Sequence, residues 1–413
     1  MEYGCIGEKL GHSFSKEIHA LLATYDYKIQ EVPRESLDDF MTERNFRAIN
    51  VTIPYKQDVI PHLYYISDEA KSIGAVNTIV NRDGLLYGYN TDFSGMRALI
   101  LREGISLDGK KVLILGTGGT SRTANAVARS LNAGEIVTVS RSARPKAVTY
   151  DEIYKSHTDA QIIINTTPCG MFPKADASPV ELDRLPNIEA VVDAIYNPLR
   201  TELIMKAQGK GLRATGGLYM LVHQAAVACG IFLDSTIEQS KIDAVFREIY
   251  SGKENIVLIA MPSGGKTTVG RALATSLGRE FVDVDDVITE KIGMSIREYF
   301  AIHGEDGFRD VEARVIREEI APKTGMVIAT GGGSILREEN IRALKRNSKI
   351  YFLDRPLDEL ITTDSRPLSS SRGALEELYR QRYEKYISCA DVVIDGSGSI
   401  ETVRDRILRE REK

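Results

Sequence analysis

Several things are missing from this chain of 413 residues, and each absence narrows its function. The four cysteines (Cys5, Cys169, Cys229, Cys389) are scattered with no Cys-x-x-Cys pair, which argues against a disulfide framework and a zinc site. No basic run with interleaved aromatics occurs, and the net charge is −5, so the chain is not expected to coat nucleic acid. Any anion recognition must be local. No apolar stretch approaches membrane-spanning length, and Met1 runs directly into a strand-like segment where a leader would lie. Repeats and low-complexity tracts are also absent. These readings predict a cytoplasmic enzyme or binding protein acting on small molecules, and they leave a homo-oligomer open.

The length exceeds what one hydrophobic core supports and predicts two or three domains. Short β-like runs (27–32, 48–53, 75–80) alternate with helical patterns, and Arg82-Asp83-Gly84 reads as a hairpin turn. A second βαβ series opens at Lys111 to Leu115, with a helix over 122–131 and strands at 135–139, 161–165 and 189–193. An apolar helix follows at 218–229 and a second helix at 236–250. Ser251-Gly252-Lys253-Glu254 is the expected linker.

The clearest chemical signal comes next. Ala260-Met261-Pro262-Ser263-Gly264-Gly265-Lys266-Thr267 lies between an apolar run and a helical stretch that starts at Thr268. A strand, a glycine-rich turn and a helix aim backbone N–H groups and the helix dipole at an anion. Gly264, Gly265, Lys266, Thr267 and Thr268 are thus candidates to cradle the phosphates of ATP or GTP, and Thr267 to ligate Mg²⁺. Ala260 stands where the full pattern has glycine, a change tolerable unless a positive φ is required there.

A different nucleotide signature occupies the first half. Gly116-Thr117-Gly118-Gly119-Thr120-Ser121 follows a β run and opens a helix, the context of a dinucleotide pyrophosphate site. Ser140-Arg141-Ser142 ends the following strand, where an NAD enzyme would place an acidic residue on the ribose. Arginine and hydroxyls there favour NADP, with Arg144 or Lys146 as a second cation.

Other motifs carry a family resemblance. Gly11-His12-Ser13-Phe14-Ser15, Asn50-Val51-Thr52-Ile53-Pro54-Tyr55-Lys56, Gly74-Ala75-Val76-Asn77-Thr78 and Gly88-Tyr89-Asn90-Thr91-Asp92 resemble the substrate domain of shikimate dehydrogenase. The resemblance continues through Asn165-Thr166-Thr167-Pro168 and Gly217-Leu218-Tyr219-Met220 to Gln224. It implies that Ser13 and Ser15 hold a carboxylate, that Thr52, Asn77 and Gln224 bond ring hydroxyls, and that Lys56 and Asp92 form the catalytic pair. Gly116, Gly118, Gly119, Ser140, Arg141, Thr166 and Met220 become the cofactor contacts. His12 and His19 are read as structural, because the ketone chemistry already has its lysine and aspartate.

Residues 254–410 resemble shikimate kinase, through Phe281-Val282-Asp283-Val284-Asp285, Gly304 to Arg309 with Glu312, Thr330-Gly331-Gly332-Gly333, Arg366-Pro367-Leu368, and Arg382 with Tyr386. The resemblance gives Asp283 and Thr267 to Mg²⁺, Asp285 to the acceptor hydroxyl, Arg309 and Arg382 to a carboxylate, and Arg366 to a lid over the phosphates. Strand alternation is expected to put Asp283 and Asp285 on one side. Gly332 and Gly333 would approach the ligand through their backbone. Thr362-Thr363 stands where the family often has arginines near the adenine.

The fold expected is α/β throughout: a substrate domain (1–93 with 218–250), a Rossmann-like NADP domain (94–217), a linker (251–254) and a P-loop kinase domain (255–413). The implied function is bifunctional, with NADPH reducing 3-dehydroshikimate to shikimate and ATP then phosphorylating it. A quinate/shikimate dehydrogenase using NAD, or a chain with one regulatory and inactive half, are the alternatives.

Overall fold

The computed structural model describes residues 1–10, 14–360 and 371–412. Ser13, His12, Arg366 and Thr362-Thr363 lie outside the described residues. Two compact units divide the chain at Tyr250/Ser251. The α/β class is as expected, and the described residues hold three sheets.

The first sheet contains β1 (Tyr3–Gly7), β2 (Tyr27–Glu31), β3 (Ala48–Val51), β4 (Tyr65–Ile66), β5 (Thr78–Arg82) and β6 (Leu85–Tyr89), in the order β2-β1-β3-β5-β6-β4. It is mixed: β5 runs antiparallel to both of its neighbours, β3 and β6. Asp83 and Gly84 both take positive φ (52° and 84°), the tight turn that hairpin twist favours. The strand expected over 75–80 begins at Thr78 instead. The backbone of the preceding residues is taken up by loop contacts, with Val76 N–H donating to the Lys56 carbonyl at 2.7 Å.

The second sheet is wholly parallel: β7 (Lys111–Leu115), β8 (Glu135–Ser140), β9 (Val148–Thr149), β10 (Ile162–Asn165), β11 (Ala190–Asp193) and β12 (Arg213–Thr215), ordered β12-β11-β10-β7-β8-β9. Its central strands are apolar on both faces because both are covered. Val112, Ile114, Ile162, Ile164 and Val192 pack into one core, and Leu113, Leu115, Ile163 and Val191 into another. The first of these cores also takes in helices Ser15–Leu22, Thr91–Arg102, Leu218–Phe232 and Gln239–Lys253, through Ile18, Met96, Val222 and Val245. One apolar core therefore packs these four helices against the second sheet.

Ser251, Gly252 and Lys253 are the last residues of helix Gln239–Lys253 rather than a coil linker. Arg279 supports the extension: its guanidinium donates to the carbonyls of Ser251 and Glu254, satisfying acceptors at the helix end.

In the second unit β13 (Asn255–Ile259), β14 (Phe281–Asp283), β15 (Val327–Ala329), β16 (Ser348–Asp354) and β17 (Val392–Asp395) form another parallel sheet, ordered β14-β15-β13-β16-β17. Because all five run the same way, the loops after β13, β14, β15 and β16 emerge at one edge, where α/β sheets place ligands.

Candidate active sites

Helix Thr91–Arg102 starts beside β6, and its cap is Asn90, whose side chain accepts from Phe93 N–H at 3.3 Å. Capping by Asn90 leaves Asp92 to other work. Lys56, in the loop after β3, places Nζ 2.5 Å from Asp92 Oδ2, with both side chains largely covered (20% and 13% exposed). A close ion pair at this depth holds each charge in one orientation.

Around it runs a polar network. Asn77 Nδ2 donates to Thr91 Oγ1 at 3.0 Å, Thr91 N–H donates to Asn77 Oδ1 at 2.8 Å, and the Thr91 hydroxyl donates to Gln224 Oε1 at 3.3 Å. Gln224 comes from helix Leu218–Phe232, which can approach because residue 95 is glycine. A Cβ there would meet the Met220 carbonyl oxygen at 2.6 Å. Thr91 is the member that sequence reasoning missed, although it lies inside the Asn90-Thr91-Asp92 motif; its burial gave no sequence signal. Thr52 is half-buried after β3, and Ser15 opens helix Ser15–Leu22.

His19 has no route to chemistry. It is buried, stacked on Tyr27 at 3.8 Å and joined to the Tyr25 hydroxyl at 2.6 Å, and burial lowers its pKa to about 3.

In the second sheet Gly116 follows β7, and Gly118 caps helix Gly119–Ser130; a Cβ on Gly118 or Gly119 would meet no protein atom within 4 Å. Their backbone is thus open to a ligand. Thr166 is bonded back to the Leu115 carbonyl by its hydroxyl at 2.6 Å, and Met220 is buried. Ser140 is buried while Arg141 is exposed, and Arg144 Nη1 lies 3.4 Å from Thr117 Oγ1, bringing a second guanidinium to the glycine turn. Beneath this surface Asp193 is fully buried. It accepts from Asn165, Thr201 and Ile195 N–H, and burial raises its pKa to about 6 despite those bonds.

The phosphate loop follows β13. Ala260 is buried and is not among the positive-φ residues, so alanine fits; Gly265 has φ 86° and caps helix Lys266–Leu277. Lys266 is buried, with Nζ donating to the Ala260 and Met261 carbonyls at 3.0 and 3.4 Å. Thr267 Oγ1 donates to Asp283 Oδ2 at 2.8 Å, while Thr268 is exposed one position on.

Strand alternation does not relate Asp283 to Asp285. The strand stops at Asp283, which caps helix Val284–Ile292 by accepting from Asp285 N–H at 3.1 Å. Asp285 therefore projects from a helical first turn. Its Oδ1 would lie 2.7 Å from a Cβ on Gly331, so it still reaches the loop after β15.

That loop receives both arginines. Gly304, at φ 72° and ψ −177°, breaks the run Ile296–Val315 and frees the second part to aim Arg309 at the loop. Arg309 pairs with Glu312 at 2.7 Å and Glu305 at 3.1 Å, and Glu312 also accepts from the Ser334 hydroxyl at 2.6 Å. Burial works against the Arg309 charge, but Glu312 and Glu305 outweigh it and raise the pKa. The guanidinium lies against bare backbone: a Cβ on Gly333 would fall 2.0 Å from Nη2. From the closing helix Arg372–Cys389, Arg382 and Tyr386 both donate to the Gly332 carbonyl, at 3.1 and 2.6 Å. Asp285, Arg309, Gly332, Gly333 and Arg382 are thus brought together beside the phosphate loop. The Glu312–Ser334 support was not foreseen in its second half; Ser334 follows the glycine run with nothing to mark it.

These features point to a dinucleotide-dependent oxidoreductase followed along the chain by a P-loop phosphotransferase. The family model of the shikimate dehydrogenase substrate binding domain matches residues 5–79, and that of shikimate kinase matches residues 262–412. A shikimate dehydrogenase (NADP⁺) of Clostridium beijerinckii is 37% identical over 261 residues, covering 59% of this chain and 96% of the relative. Among solved structures, a chorismate mutase/shikimate 5-dehydrogenase fusion protein of Clostridium acetobutylicum has 36% identity and a TM-score of 0.57, covering 60% of this chain and 96% of that one. The shikimate 5-dehydrogenase of Thermus thermophilus, solved with NADP(H) and shikimate, has 30% identity and a TM-score of 0.54 over 60% of this chain and 99% of that one. The chain belongs to the shikimate dehydrogenase family, and it carries a shikimate kinase domain after the dehydrogenase.

Proposed function

We propose that the first unit reduces 3-dehydroshikimate to shikimate with NADPH and that the second transfers the γ-phosphoryl group of ATP to the shikimate 3-hydroxyl. The observation that carries the reductase reading is the Lys56–Asp92 pair at 2.5 Å, walled by Asn77, Thr91 and Gln224. Bound NADPH supplies the hydride. Lys56 Nζ donates to the ketone oxygen and stabilises the charge that develops on it, and Asp92 keeps the ammonium charged and aimed. Asn77 and Gln224 hold ring hydroxyls, Thr52 assists them, and the serine of helix Ser15–Leu22, with Ser13, holds the carboxylate.

In this reading residues 1–93 with 218–250 bind substrate and 94–217 bind the cofactor. The donors suit NADP: open backbone at Gly118 and Gly119 for the pyrophosphate, and Arg141 with Arg144 for a 2′-phosphate. The Clostridium beijerinckii relative is named for NADP⁺, which supports the same choice.

For the kinase unit, residues 255–413, Asp285 orients the acceptor hydroxyl and takes its proton, and Arg309 and Arg382 hold the carboxylate. Lys266 and the N–H groups of Gly264 to Thr268 hold the phosphates. Mg²⁺ fits two oxygen donors already in contact, Thr267 Oγ1 and Asp283. Arg366 would add charge over the transferred group.

The test incubates the purified chain with 3-dehydroshikimate, NADPH, ATP and Mg²⁺ and follows products by mass spectrometry. Shikimate and then shikimate 3-phosphate are expected. NADPH should outperform NADH, and Arg141→Asp should erode the preference by weakening NADPH. Faster reduction with NADH in the wild type would instead support the quinate/shikimate alternative, and a silent half would support a regulatory one.

A further inference from the structure

We infer that Arg355 is a second cation of the phosphate loop and binds the phosphates of the nucleotide. The inference rests on the kinase reading of the second unit and adds a residue to it.

Arg355 directly follows β16, which pairs in parallel with β13 (Leu258 opposite Tyr351, Ile259 opposite Phe352). The end of β16 therefore lies beside the point where β13 gives way to the phosphate loop. Arg355 Nη1 stands 4.0 Å from where a Cβ on Gly265 would project. Gly265 is the loop's left-handed residue and immediately precedes Lys266. An anion held on the N–H groups at this turn comes within reach of that guanidinium.

The arginine is also steadied. Its Nε donates to Glu359 Oε2 at 3.2 Å, and its side chain is only 30% exposed. The neighbouring backbone is pinned: Gly396 N–H donates to the Asp354 carbonyl at 2.8 Å, and the Tyr383 hydroxyl donates to Asp354 Oδ2 at 2.8 Å. A half-exposed Arg–Glu pair on its own adds little stability, so stability is a weak reason for this placement.

Charge arithmetic points the same way. A nucleoside triphosphate carries several negative charges, while Lys266 is sunk into the loop against the Ala260 and Met261 carbonyls. A planar guanidinium at the rim can take two phosphate oxygens at once.

The test uses the full chain with Arg355→Ala, Arg355→Lys and Glu359→Gln. It measures KM for ATP and for shikimate, equilibrium binding of a fluorescent ADP analogue, and reductase activity as the folding control. Arg355→Ala should raise both the ATP KM and the ADP-analogue Kd about tenfold or more, the value of a charge-assisted bond. Shikimate KM and reductase activity should stay unchanged, Arg355→Lys should recover part of the loss, and Glu359→Gln should have a smaller effect. An ADP-analogue Kd in Arg355→Ala equal to that of the wild type overturns the inference. Should the wild type transfer no phosphoryl group, the kinase reading falls, and analogue binding still judges Arg355; a wild type that does not bind the analogue overturns both.

Discussion

The two sites of this chain are proposed to hold the same molecule, and they are built from opposite materials. The dehydrogenase site is a net of amides and hydroxyls (Asn77, Thr91, Gln224) around one ion pair, Lys56–Asp92. Its charges cancel within the protein. The kinase site brings two arginines to a floor of bare glycine backbone, one fixed by a buried glutamate and the other by a carbonyl. The first arrangement suits a reaction centre where a lysine must be turned toward a ketone. The second suits a grip on a carboxylate that has to stay still while chemistry occurs at a hydroxyl. Recognition of a ligand is thus set by which of its groups must react.

The strongest way to break this comparison is to remove the reacting group on each side. Lys56→Ala should lower ketone reduction by roughly 10²–10⁴-fold, and Asp285→Asn should lower phosphoryl transfer by about the same, the usual value of a positioned acid or base. Each variant should leave the other reaction intact in coupled assays; parallel loss of both activities in either variant would contradict separate sites.

A finer test concerns the glycine floor. Gly333→Ala places a methyl where Arg309 lies, whereas Gly332→Ala meets nothing closer than 3.7 Å. The first substitution should raise the shikimate KM of the kinase about 10–100-fold by displacing a charge-assisted bond, with steady-state kinetics as the check. The second should change it less, and reversal of that order removes the floor argument.

Ionic strength should separate the sites more gently. Between about 0.1 M and about 1 M salt the screening length falls from about 10 Å to about 3 Å. The shikimate KM of the kinase should rise over that range by more than the 3-dehydroshikimate KM of the reductase. Equal slopes would mean that the carboxylate is gripped alike in both.

The smallest effect expected is on stability. Asp193 is buried among neutral donors with its pKa raised to about 6 from 3.8. The folded state therefore binds its proton more tightly than the unfolded state. That contribution is complete below the unfolded value and is lost as pH rises through about 6. Thermal unfolding of Asp193→Asn, which cannot ionise, should gain on the wild type between about pH 4 and about pH 6, the interval between the unfolded and folded values. A constant difference across that range would show that Asp193 does not titrate there.

Much of this was legible in the sequence because phosphate loops and buried parallel strands impose local patterns. The runs 111–115, 161–165 and 189–193 are apolar on both faces and became β7, β10 and β11 almost unchanged. The position of Asp285 was not legible. Strand alternation is the default for two residues either side of a valine, and only the cap formed by Asp283 reveals that the helix has already begun. Similarly, Ser251 to Lys253 read as a linker because the guanidinium that extends their helix comes from Arg279, far along the chain. Tertiary partners overrode local preference in both places. Arg366 and Ser13 fall outside the described residues.

The contact between Thr91 and Gln224 also has a bearing on how the protein is made. These residues are 133 positions apart, and the seam that joins them tolerates no side chain at residue 95. During synthesis the residues from Lys56 to Asp92 leave the ribosome first, then the whole parallel sheet from β7 to β12, and only afterwards the helix that brings Gln224. A nascent chain consequently owns the lysine–aspartate pair long before it owns the wall beside it. The dehydrogenase site is completed only after the whole parallel sheet has been translated.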